Sequence, residues 1–124
     1  MRGGTMRTKT MLLAAAALAS GGALAEGDAR QGEALYKVYC TQCHGINGDG
    51  KGVNTRDMPV QPRDHTDTGE MSARTDDDLY KAIDGGGKAV NKSVLMPAWG
   101  GNLDESSIRD VIAYLREICC EKAQ

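Results

Sequence analysis

The chain has no phenylalanine, one tryptophan and four tyrosines in 124 residues. So thin an aromatic supply gives a domain of this size a modest apolar core, and such domains are marginal unless something staples them. No apolar run is long enough to cross a bilayer: the stretch from Met11 to Ala25 contains a glycine pair and falls short of the roughly 20 residues a spanning helix needs. Basic residues are short as well, 15 against 17 acidic ones. That balance excludes nonspecific nucleic-acid binding, which relies on a basic surface to replace the counterions along phosphates. No internal repeat is visible, and the length fits one small domain.

What is present begins with a leader. Residues 1–25 carry Arg2, Arg7 and Lys9 but no acid, then the apolar run from Met11 to Leu18, then Ala23-Leu24-Ala25. This is the layout of a secretory signal peptide cleaved after Ala25. The expected organisation is a signal peptide over 1–25 and one domain over 26–124, exported to the periplasm or an equivalent compartment, with no membrane anchor. Loss of the three leader bases moves the formal net charge from −2 to −5.

Four cysteines in an exported chain first suggest two disulfides. Their placement argues otherwise, because Cys40 and Cys43 form one close pair and the adjacent Cys119 and Cys120 another. Residues 40–44 read Cys-Thr-Gln-Cys-His, the C-x-x-C-H signature of covalent haem c attachment. Two thiols three positions apart near a helix end each reach one vinyl group on the same porphyrin edge. His44 then lies beneath the iron, a neutral imidazole whose second ring nitrogen is commonly fixed by a backbone carbonyl. A thioredoxin-like dithiol lacks its βαβ surroundings here, and two adjacent cysteines are poor partners for half a zinc site. Export also suits haem c, which is attached after secretion.

With that motif the sequence resembles the class I c-type cytochromes, particularly small bacterial single-haem members. The resemblance covers residues 27–118 and rests on three segments: Cys40 to Gly52, Leu95-Met-Pro-Ala-Trp-Gly-Gly101, and Ile108 to Leu115. It implies an all-α cytochrome c fold, with three or more helices and long irregular loops wrapped around one covalently attached haem. It also implies His and Met axial ligands and service as an electron carrier. In that family the first and last helices cross closely at a small residue, which Gly32 matches, with Tyr36, Val111 and Tyr114 packing around the crossing.

The residue pattern independently supports helices. Asp28 is placed to cap a first helix running to Tyr39. Thr75 caps a second, where Asp76, Asp77 and Asp78 favour the positive end of the dipole, and Gly85-Gly86-Gly87 is expected to end it. Near Asp104 a third begins, with Ile108, Val111, Ile112, Leu115, Ile118 and Cys119 in one apolar stripe. The intervening residues 45–72, with Pro59, Pro62 and many glycines, read as an irregular loop over the haem edge. Cys119 lies on the apolar face and Cys120 is turned about 100° away. A vicinal disulfide would break that helical geometry. Cys119 is therefore expected to be buried, and Cys120 to offer a thiol for a disulfide-linked partner.

For the sixth iron position the chain offers Met96, Met58, Met71 and His65. Met96 is the choice: Pro97 follows it and biases it toward an extended conformation that presents the side chain, and the resemblance places a methionine ligand there. Met58 also precedes a proline and is the runner-up. Met71, just before a helix, reads as packing. His65 lies in the polar setting Pro62-Arg63-Asp64-His65-Thr66-Asp67, which reads as solvent facing or at the haem edge. Arg63 suits a haem propionate or plain surface, and Trp99 suits packing against the porphyrin. Residues 45–52 approach a phosphate-loop pattern, but Gly52 replaces the metal-binding hydroxyl and no strand precedes them. Asn47 and Asp49 suggest part of a calcium loop until Lys51 puts a positive charge at the next ligand position.

Two axial ligands leave no iron site for substrate, so the expected function is a soluble exported one-electron carrier and not an enzyme. Its donor and acceptor would be redox proteins docking transiently, with basic patches facing this acidic surface. The alternatives are a haem subunit of a larger respiratory or oxidoreductase complex, and a gas- or peroxide-binding haem protein with a labile distal ligand.

Overall fold

A computed structural model describes residues 26–121; the signal peptide expected over 1–25 lies outside them. Among the described residues there are helices and no strands, and no helix is long and apolar enough to cross a membrane. Helix α1 spans Ala29–Tyr39 and starts where Asp28 accepts from the Arg30 and Gln31 amides. Helix α5 spans Glu105–Arg116 and is capped by the Asp104 carboxylate on the Ser107 amide. These two helices form the frame. The Asp28 amide also donates to the Asp110 carboxylate at 2.7 Å, which pins the start of α1 to the middle of α5.

The expected close approach is present. A Cβ on Gly32 would overlap the Asp110 carbonyl, so the two backbones meet where only glycine fits. Tyr36 is 1% exposed beside this contact, its ring 5.2 Å from that of Tyr114. The stripe on α5 is buried as the periodicity requires: Ile108, Val111, Ile112 and Leu115 are all in the core.

Helix α4 spans Asp76–Ala89, with a full capping box between Thr75 and Asp78. Its regular run ends at the expected glycines. Gly86 sits at φ 73°, a left-handed kink, after which the chain resumes a further helical turn. Only glycine fits at this kink: besides the positive φ, a Cβ there would strike the backbone of Met96, Pro97 and Ala98. The loop after the haem motif is also more structured than expected, because Asp67 caps the short helix α3, Thr68–Ser72, which buries Met71 completely. Arg116 joins the three elements, bonding to the Asp76 carboxylate and to the carbonyls of Met71 and Arg74.

The expectation of a free Cys120 thiol is corrected at the C-terminal end. Cys119 and Cys120 are joined to each other in a vicinal disulfide, so Cys120 has no thiol left for a partner. A regular α-helix does point neighbouring side chains about 100° apart. The bond occurs where the helix has already left that geometry, in a π-helical turn over Glu117–Glu121. The Cys119 carbonyl there accepts from the Thr68 hydroxyl of α3, so the turn is held from outside the helix. Cys119 is buried as expected, at 4% exposure.

Candidate haem site

Helix α1 ends at Tyr39, and one short turn, α2 (Thr41–His44), carries the cysteine motif. Thr41 anchors that turn by donating to the Lys37 carbonyl at 2.9 Å, while the His44 amide donates to Cys40 O at 2.8 Å. Cys40 and Cys43 are both free thiols and half-buried. Burial, helped by the neighbouring Cys43, pushes the Cys40 thiol up to about 12, which keeps it protonated.

His44 Nδ1 lies 3.1 Å from the Arg63 carbonyl. A carbonyl only accepts, so Nδ1 carries the proton and Nε2 keeps its lone pair. Burial also holds the imidazole below its ordinary value, which favours the neutral ligand form. The expected carbonyl partner of the proximal ring is thus the backbone of Arg63. Its guanidinium is engaged elsewhere, with Glu70. The glycine-rich stretch after His44 turns at Gly45, Gly48 and Gly50, all at positive φ.

Met96 lies on the segment between α4 and α5 and is partly buried against the core. Its backbone is held on both sides, the amide donating to Ser93 O at 3.3 Å and the carbonyl accepting from the Gly87 amide at 3.0 Å. Three residues on, the Trp99 amide donates to Ile83 O at 2.9 Å, and the Trp99 ring meets Tyr39 edge to face at 5.2 Å. Trp99 therefore ties the Met96 segment to the residue just before Cys40. Met58 is half-buried in a separate turn, its amide bonded to Thr55 O.

His65 departs from its polar sequence setting. Its ring turns inward and stacks on His44, centroids 4.2 Å apart and planes 18° from parallel. Its Nδ1 is 3.0 Å from the Tyr36 hydroxyl. Burial, then the neighbouring His44 and Arg63, pushes its pKa well below the ordinary imidazole value. Sequence reasoning missed this placement because the flanking residues do face out: the Asp64 carboxylate bonds to the Thr66 amide and hydroxyl, and Asp67 caps α3.

The donor set fits one haem c. Two free thiols sit on one turn, and the adjacent imidazole is held in the tautomer that leaves Nε2 free to bind iron.

The family described as cytochrome c oxidase, cbb3-type, subunit III matches residues 27–115. Among solved structures, a chain of the Kuenenia stuttgartiensis reducing HAO-like protein complex Kustc0457/Kustc0458 is 30% identical, with a TM-score of 0.60 over 77% of this chain. The match spans only 44% of that longer chain. The KustC0563 c-type cytochrome shares the fold at 19% identity, with a TM-score of 0.57 over 71% of this chain and 96% of that one. Together with the all-helical frame and the cysteine–histidine turn, the match across residues 27–115 establishes that this chain belongs to the family described as cytochrome c oxidase, cbb3-type, subunit III, and is a small class I c-type cytochrome carrying covalently bound haem c.

Proposed function

We propose that this protein is an exported one-electron carrier in which Cys40 and Cys43 tether a single haem c and His44 and Met96 are its axial ligands. The observation that carries the reading is the His44–Arg63 hydrogen bond, which fixes a neutral imidazole with its ligand nitrogen free beside two intact thiols. When bound, haem c supplies a one-electron Fe(III)/Fe(II) couple. The chain's own residues do the rest. Arg63 O holds the proton on Nδ1 and thereby the orientation of His44. Pro97 and the bonds to Ser93 and Gly87 fix the backbone of Met96, and its neutral thioether favours Fe(II) and so keeps the potential high. The export assignment rests on the leader sequence of residues 1–25, and the acidic balance favours partners with basic patches.

Replacing the proposed methionine tests this reading. Met96→Ala should keep haem attached through Cys40 and Cys43, lose the ferric near-infrared band of sulfur-to-iron ligation, lower the potential, and bind CO in the ferrous form. Met58→Ala should change none of these. Persistence of the band in Met96→Ala, or rapid CO binding by the unaltered protein, would overturn the assignment and favour a gas- or peroxide-binding protein.

A second reading, a haem subunit of a larger assembly, draws support from the solved relative that is itself a chain of a protein complex. Native purification separates the two: a carrier emerges as a single chain, a subunit with stoichiometric companions.

A further inference from the structure

We propose that His65 is a positioning residue for His44: its ring, locked by Tyr36, clamps one face of the His44 imidazole and sets the direction in which that ring lies beneath the haem. The inference rests on the reading of His44 as an axial ligand.

The geometry has three links. First, the Arg63 carbonyl holds the edge of the His44 ring through Nδ1, but one in-plane hydrogen bond leaves the ring able to rock about its own Cβ–Cγ bond. The broad torsional preference of imidazole does little to oppose that rocking. A flat ring at 4.2 Å, nearly parallel, opposes it by filling the space the face would sweep. Second, His65 is itself held at two points: its amide donates to Gly48 O at 2.7 Å, and its Nδ1 pairs with the Tyr36 hydroxyl at 3.0 Å. Third, Tyr36 is buried at the α1–α5 contact, its ring against Tyr114. The orientation of the ligand ring is thus referred, through two side chains, to the close contact between α1 and α5. With His44 holding the iron, a ring lying face to face with it would sit on the same side of the haem, so His65 would not supply the opposite ligand.

The orientation of an axial imidazole governs how unpaired spin is shared among the porphyrin pyrroles in the ferric low-spin state. It is read from the paramagnetic NMR shifts of the haem methyls and from the EPR g values, neither of which a residue that only stabilises the fold needs to move. In the haem-loaded protein, His65→Leu should change the order and spread of the four methyl shifts and alter the g anisotropy. Tyr36→Phe keeps the ring but removes the hydroxyl that locks His65, and should move the shifts in the same sense by less. His65→Phe, which restores a flat face, should return the pattern toward that of the unaltered protein.

Unchanged methyl shifts and g values in His65→Leu would overturn the clamp. Should that variant fail to load haem, Tyr36→Phe decides, and unaltered shifts there overturn it equally. Failure of the underlying ligand assignment has a different signature: His44→Gly would keep the unaltered protein's low-spin spectrum, whatever the His65 variants show.

Discussion

At the scale of single residues, the chain uses glycine where backbone must meet backbone and stacked polar rings around His44, the proposed ligand. Gly32 is the clearest case of the first. Gly32→Ala drives a Cβ into the Asp110 carbonyl, a backbone atom that cannot rotate away. Relief requires α1 and α5 to separate around Tyr36 and Val111, which are among the most completely buried side chains. Overpacking of this kind costs about 3 kcal/mol, and chemical denaturation of the haem-loaded variant should show that loss; a loss below about 0.5 kcal/mol, within the range of ordinary surface changes, would mean the crossing adapts freely. Gly32 was legible in the sequence, because a small residue one turn before Leu35 and Tyr36 matched the resembled family's crossing point. His65 was not. Its neighbours Asp64, Thr66 and Asp67 are exposed, and nothing in the local pattern reveals that a single ring between them turns inward toward a partner 21 positions earlier in the chain.

At the scale of elements, the helix starts, the end of α1 at Tyr39 and the break of α4 at its glycines were readable, and the C-terminal turn was not. Asp28, Thr75 and Asp104 each cap the helix expected of them, since a side-chain oxygen on an N-terminal amide is a local event. The π-helical turn at Cys119 and Cys120 is tied to a distant segment, the Thr68 hydroxyl of α3. Local caps also carry a pH dependence. The Asp78 carboxyl lies below the ordinary value because it accepts hydrogen bonds from the Thr75 amide and hydroxyl, and Asp104 is lowered in the same direction by Ser107 and Ser106. A group whose folded value is depressed contributes stability above its unfolded value, and that contribution is lost as pH falls through the folded one. Asp78→Asn should therefore melt below the unaltered protein at pH 7, and the gap should close as the pH drops under about 4, the ordinary aspartate value. A gap that stays constant down to pH 2 would show that ionisation of Asp78 contributes nothing to the cap.

At the scale of the whole molecule, two helices provide a frame and the segments between them carry the chemistry. Residues 45–72 bring the Arg63 carbonyl to His44, and the stretch between α4 and α5 brings Met96 and Trp99 toward the core beside α1. Surface charge is the one whole-molecule property written directly in composition. The domain proposed for export has a formal net charge of −5 once the leader bases are gone, and among the described residues several bases are already matched: Lys37 with Glu33, Arg63 and Arg74 with Glu70, Arg109 with Glu105, and Arg116 with Asp76. Pairing bases with acids leaves the acidic excess to set the long-range field. Attraction over distances beyond about 10 Å is screened at ~0.1 M salt. A carrier that finds partners by this field should exchange electrons with a cationic redox partner at a rate that falls steeply as ionic strength rises, and with an anionic one at a rate that increases. Stopped-flow reduction by a basic and an acidic redox protein across a salt series checks this directly. A subunit fixed in an assembly has no such encounter to steer, so rates independent of salt for both partners would count against the free carrier and for the subunit reading.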